Sequence, residues 1–150
     1  MTKPIYVLNG PNLNLLGSRE PQVYGSETLD DVRVRCERKA AKLGLAIDFR
    51  QSNHEGELVA WIQEAKDKAA GLIVNAGAFT HSSIAMLDAL LACEIPCVEV
   101  HLSNIFRRES FRHNSYISKG AKGLICGFGP LGYELAIEAL AASIEPKKAG

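Results

Sequence analysis

The sequence carries no surplus of charge: seventeen Lys and Arg stand against seventeen Asp and Glu in 150 residues. A chain that holds nucleic acid by neutralising phosphates shows a basic excess, so the overall balance argues against such a partner. Aromatic residues are scarce at 7%, yet 47% of residues are hydrophobic, and with zero net charge that excludes disorder. Long apolar runs are missing. None approaches the ~20 residues of a membrane span, and Ile5-Tyr6-Val7-Leu8 is too short for a signal segment. The expectation is a cytoplasmic protein with no membrane partner, its residues 1–150 forming one domain. Only four cysteines occur, Cys36, Cys93, Cys97 and Cys126, each inside an apolar periodic segment. They read as small core residues of a reduced protein. Pro96 separates Cys93 from Cys97 and no second Cys or His pair completes a zinc set, so no metal is expected.

What is present is an alternation of short apolar runs with helical patterns. Ile5–Leu8 reads as a strand stopped by Asn9-Gly10-Pro11, followed by a long loop to about Ser26. Thr28 and Asp31 are spaced as a capping box, with Leu29, Val32, Cys36 and Leu43 on one helical face and Gly44 past its end. Leu45, Ile47 and Phe49 alternate with polar residues, as in a strand near a sheet edge. Helices are predicted over Glu55–Ala70, closed by Gly71, over His81–Cys93, and from Pro130 to about Ser143. Strands are predicted over Leu72–Val74, Cys97–Val100 and Leu124–Cys126. This order predicts an α/β fold with a five-stranded parallel sheet covered on both faces. Ligands of such sheets bind beyond the carboxyl ends of the strands. Two segments leaving those ends, Asn9–Ser26 and His101–Lys119, are far longer than ordinary βα connections.

Several residues at those ends have chemical potential, each with a plainer reading beside it. Glu99 and His101 lie two apart on one strand and so project to the same face. A buried carboxylate there would fix the imidazole tautomer and favour its cationic form, as a general acid requires; a structural ion pair is the alternative. Arg19 and Tyr24 offer a phenolate held by a guanidinium, an attraction worth about 4 kcal/mol at about 4 Å and an effective dielectric of ~20. A second arginine would help, and from spacing alone a packing tyrosine beside a surface arginine is the favoured reading. Asn75 to Ser83 runs from a strand end into a helix and suits an anion, with His81 either a ligand contact or a solvated residue. Asp88 reads as the polar side of an amphipathic helix. Arg107, Arg108, Arg112, His113, Lys119 and Lys122 make one basic segment suited to a nucleic acid or a small anion, and Ser103 adds to the latter. Gly127-Phe128-Gly129-Pro130-Leu131-Gly132 matches a dinucleotide fingerprint. It follows the last strand, however, with no acidic strand after it, so a tight turn is the better reading.

Taken together, Leu8–Gly25, Gln51-Ser52-Asn53-His54-Glu55-Gly56, Asn75–Ser83 and Glu99-Val100-His101-Leu102-Ser103-Asn104 continuing to Ser118 resemble the type II 3-dehydroquinate dehydratases. The resemblance extends from Ile5 to about Leu140, with mild departures at Phe79 and Ser82. It implies a flavodoxin-like three-layer sandwich and reversible dehydration of 3-dehydroquinate in the shikimate pathway, by anti elimination, without metal or organic cofactor. It implies Tyr24 as the base, Arg19 holding its phenolate, Asn12 stabilising the enolate through a water, and His101 as the acid oriented by Glu99. Asn75, His81, Leu102, Ser103 and Arg112 would seat the substrate, the middle two through backbone amides. Arg108 would belong to the tyrosine's surroundings and a closing lid. Asp88 would reach a neighbouring subunit's substrate in a dodecamer of four trimers, and no nucleic-acid partner is implied. The class of dehydratase that uses a lysine Schiff base is disfavoured, since none of the nine lysines ends an apolar strand.

Overall fold

The computed structural model describes residues 3–18 and 20–144, which leaves Arg19 outside the described residues. Strand β1 (Ile5–Asn9) leads through a 3₁₀ turn at Leu13–Leu15 and a one-turn helix α1 (Pro21–Tyr24) to helix α2 (Leu29–Lys42). Then come β2 (Ile47–Gln51), α3 (Glu55–Lys68), β3 (Gly71–Asn75), α4 (Ile84–Cys93) and β4 (Cys97–His101). Three 3₁₀ turns, at Ile105–Arg107, Ser110–Arg112 and Ile117–Gly120, lead to β5 (Gly123–Cys126) and α5 (Leu131–Ile144). All strand pairs are parallel, in the order β2-β1-β3-β4-β5. This is the flavodoxin-like order expected.

Strands β1, β3 and β4 are buried along their whole length between the helices that cover both faces of the sheet. Ile5, Val7, Ile73, Val98 and Val100 pack with Val32, Cys36 and Ala40 of α2 and Ala136, Ile137 and Leu140 of α5. Tyr6, Leu8, Leu72, Val74 and Cys97 pack on the opposite face with Leu58, Ile62 and Ala65 of α3 and Met86, Ala89 and Leu90 of α4. Burying each of the larger aliphatic side chains contributes about 1.5–3 kcal/mol. Strand β2 is half-buried throughout and forms an edge, as its alternation suggested.

Helix α2 begins with the expected capping box: the Asp31 amide donates to the Thr28 hydroxyl at 3.1 Å and the Thr28 amide to the Asp31 carboxylate at 3.0 Å. Gly44 follows its end at φ 72°, a conformation that favours glycine. Three expectations change. Leu43 is exposed because the helix ends at Lys42, and Ala40 takes its place in the core. Gly71 does not close α3, which ends in the extended Ala69; it opens β3, where Leu140 comes within 3.2 Å of the position a Cβ would take. His81 does not start a helix. Residues Gly77–His81 form a 3₁₀ turn, and α4 begins only at Ile84, where the Ser83 hydroxyl accepts the Met86 amide at 3.0 Å.

The chain goes from β1 outward to β2 and then back across to β3, so order reverses between β1 and β3 and their carboxyl ends flank a crevice. Asn9 and Asn75 stand in register at its base. The two loops leaving it touch backbone to backbone: Gly10 donates its amide to the Asn75 carbonyl at 2.8 Å, and a Cβ on Gly10 would lie 2.3 Å from the Ala76 carbonyl oxygen. Gly10→Ala is therefore expected to destabilise by about 3 kcal/mol or more. The corresponding fall in thermal midpoint is about 6–12 °C. An unchanged midpoint in thermal unfolding would show that the loops part freely.

Candidate active site

An open cleft of about 510 Å³, counting the space open to solvent at its mouth, lies over this crevice. Pro11, Asn12 and Leu13 line it from the loop after β1, and Tyr24 from the end of α1. Asn75, Gly77 and Ala78 line it after β3, and His101, Leu102, Ser103, Ile105 and Arg108 after β4. Asn12 adopts φ 69°, a left-handed conformation that asparagine tolerates better than most side chains. Its amide donates to the Asn53 side chain at 3.0 Å, and Gln51 donates to the same oxygen at 3.1 Å.

His101 and Glu99 share the face expected of them. The imidazole Nε2 meets the Glu99 carboxylate at 2.5 Å. Since an ionised carboxylate only accepts, Nε2 carries the proton, and Nδ1 is the nitrogen left for a ligand in the cleft. Glu99 is fully buried and accepts further hydrogen bonds from the hydroxyls of Ser115, at 2.7 Å, and Ser118. Burial alone would push its carboxyl up, but the bonds and charge of His101 and the two serines outweigh burial and hold it below the usual carboxylate range. Glu99 thus stays ionised at neutral pH. Its contribution to stability is complete above the ordinary carboxylate pKa and is lost as pH falls through the lowered value.

Tyr24 is half-buried, and Arg108 donates from Nη1 to its phenolic oxygen at 2.8 Å while the guanidinium lies 5.3 Å from the ring centroid. Among the described residues Arg108 is thus the guanidinium that meets this tyrosine. The Arg108 carbonyl accepts from His113 Nε2 at 2.9 Å, which ties down the loop that carries it. Glu20 stands 4.0 Å from the other end of the guanidinium.

Other expected residues stand apart from this group. Arg112 is held by Glu109 at 2.5 Å and stacks on Phe111, so it does not line the cleft. His81 donates from Nδ1 to the Asn114 carbonyl at 2.9 Å, also outside the lining. Asp88 is exposed on α4, away from it. The basic segment forms no single patch: Lys119 lies over Tyr116, and Lys122 reaches Ser143 near the end of α5. The glycines of the dinucleotide-like motif serve a turn. Gly127 and Gly129 adopt φ 96° and 60°, and their amides donate to the carbonyls of His101 and Leu102. Those amides, which a phosphate would need, instead fix the loop that carries His101.

Sequence reasoning missed Ser115 and Ser118 as partners of Glu99, Tyr133 as the partner of Asn75, and Asn9 as the partner of Tyr133. The Ser115-x-x-Ser118 spacing, in a segment following a strand with an internal glutamate, was the available signal for the first pair.

Comparison with known proteins shows the family to which the sequence and fold are similar. Residues 3–141 match the family model described as dehydroquinase class II. The 3-dehydroquinate dehydratase of Mesorhizobium japonicum is 60% identical over 143 residues, covering 95% of this chain and 99% of that protein. That of Brucella canis is 59% identical over 142 residues, covering 95% and 90%. The crystal structure of type II dehydroquinase from Propionibacterium acnes superposes with a TM-score of 0.90 at 46% identity, covering 95% of this chain and 98% of that one.

Proposed function

The chain belongs to the class II dehydroquinase family, and we propose how it acts as a 3-dehydroquinate dehydratase of the shikimate pathway. The observation that carries the mechanism is that two separately supported groups, Tyr24 on Arg108 and His101 on Glu99, line one cleft from different loops. Tyr24, as phenolate, removes the proton beside the ketone, and the electron pair moves into an enolate. Arg108 donates to the phenolic oxygen and so holds the phenolate, a role that the family resemblance gives to Arg19 as well. Asn12 stabilises the enolate oxygen through a water, as oriented donors aimed at developing charge do. The enolate then re-forms the carbonyl as the carbon–oxygen bond breaks, and His101 gives a proton from Nδ1 to the departing hydroxyl, which leaves as water, while Nε2 keeps its hydrogen bond to Glu99. Base and acid on different loops can reach opposite faces of the ring, as anti elimination requires. Asn75 with the backbone amides of Leu102 and Ser103 seats the carboxylate and hydroxyls.

His81 and Arg112 join these contacts when the first long loop, with Gly17 and Gly25 near its ends, closes as a lid over bound substrate, Arg112 leaving Glu109 to do so. Asp88, exposed on α4, reaches the cleft of a neighbouring subunit in a dodecamer of four trimers. Residues 1–150 act as one catalytic domain in the cytoplasm, without a metal or organic cofactor. Among the described residues no helix is long and apolar enough to cross a membrane.

The test is to add 3-dehydroquinate and follow the ultraviolet absorbance of the conjugated enone. Steady enone formation is expected. Folded protein that produces none would overturn the assignment.

A further inference from the structure

Asn75 lines the cleft, yet its side-chain amide is held from behind by a chain of buried groups that reaches to the edge of the sheet. The Arg50 carbonyl on β2 can only accept, and Asn9 Nδ2 donates to it at 2.9 Å. Asn9 Oδ1 must then face the other way, and the Tyr133 hydroxyl donates to it at 2.7 Å. With its proton so placed, the Tyr133 oxygen is an acceptor, and Asn75 Nδ2 donates to it at 2.9 Å. On the far side of Asn75 the Gly77 amide, which can only donate, meets Oδ1 at 3.3 Å. Two backbone groups of fixed polarity thus close the chain, and every hydrogen bond in it has one possible direction. Asn9 and Tyr133 are 0% exposed and Asn75 3%, so solvent does not compete.

We propose that Tyr133 is a positioning residue for substrate binding: its hydroxyl sets which end of the Asn75 amide, oxygen or nitrogen, faces each part of the substrate. The proposal rests on the dehydratase reading for its substrate, but not for its geometry. Tyr133 touches no substrate itself. It lies beneath the cleft, on α5, and acts through Asn75. A phenylalanine in its place keeps the packing of the ring but leaves Asn9 Oδ1 and Asn75 Nδ2 without partners, and the longer bond from Gly77 alone then restrains the amide.

Tyr133→Phe is expected to raise KM for 3-dehydroquinate about tenfold, equivalent to about 1.4 kcal/mol, with kcat changed by less than about threefold. This pattern marks lost binding shared by ground and transition states. In an Asn75→Ala background the same replacement is expected to change KM by less than about twofold, because the amide it positions is gone. An unchanged KM in an active Tyr133→Phe enzyme overturns the proposal. So does an equal KM effect with and without Asn75, which would make Tyr133 a general support of the fold. Should Tyr133→Phe fail to fold, Asn9→Ala, which frees the tyrosine hydroxyl to rotate, is expected to raise KM in the same way, and an unchanged KM there also overturns it. If the unaltered protein forms no enone, the dehydratase reading fails, and a crystal structure of Tyr133→Phe decides the network. An Asn75 side chain turned away from its present position supports it; an unmoved one overturns it.

Discussion

Tyr24→Phe is expected to lower kcat by about three to four orders of magnitude, the upper range for loss of a general base, while leaving substrate binding nearly intact. The replacement removes one oxygen. The ring keeps its half-buried place and its stacking under Arg108, and the contacts of Asn75, Leu102 and Ser103 with the substrate are untouched. Phenylalanine cannot accept a proton, and among the described residues of the cleft lining no other group has a guanidinium donating to its oxygen. The proton beside a ketone is weakly acidic, so little else in the cleft removes it at a comparable rate. Enone formation measures the loss, and equilibrium titration with 3-dehydroquinate separates it from lost binding. Appreciable turnover in a variant that binds substrate would remove Tyr24 as the base.

The second large effect is expected from His101→Ala, a fall in kcat of about two to four orders of magnitude, here with a cost to stability as well. Among the described residues the imidazole is the only ionisable partner of a carboxylate that is 0% exposed. Removing one member of a buried pair costs about 3–5 kcal/mol. With only Ser115 and Ser118 left, burial dominates at Glu99 and pushes its carboxyl up, so the variant takes up a proton that the unaltered protein does not hold there. Its stability consequently ceases to fall as pH drops through the range where ionised Glu99 is lost in the parent. Turnover, thermal midpoint and the pH dependence of that midpoint test the prediction together. A near-parental rate in the folded variant would show that another group protonates the departing hydroxyl.

The elements that could be read directly were those in which one periodicity carries the signal. Glu99 and His101 were legible because a strand puts alternate residues on one face, and Thr28 with Asp31 because a capping box has a fixed spacing. The stretch from Asn75 to Ile84 misled because its residues suit a helix start, whereas the Asn75 side chain draws the Gly77 amide toward it and a 3₁₀ turn precedes the helix. The remainder of the site depends on contacts that no local pattern encodes. The Tyr24 hydroxyl meets an arginine 84 residues away, and the Tyr133 hydroxyl meets asparagines 58 and 124 residues away. Tyr133 has the pattern of an ordinary core aromatic, and most of it is one; only its oxygen is different. Family resemblance named Asn12, Tyr24, Asn75, His101, Leu102, Ser103 and Arg108 among the cleft lining, but not Asn9 and Tyr133, which hold Asn75 from below.

The all-parallel order also fixes when in the life of the chain a working cleft exists. Ile5 pairs with Gly71, and Leu72 with Cys97, so each pairing at the centre of the sheet must wait for a long loop to close. Helices such as α2 and α3 form from neighbours in the chain, on far shorter times. The cleft between the ends of β1 and β3 exists only once those strands have met, and the Asn75 amide is set only when α5 docks and brings Tyr133 beneath it. Catalytic competence is therefore the last property to return on refolding. A chain still short of α5 lacks the Tyr133 hydroxyl that fixes the Asn75 amide, and so has no finished substrate seat.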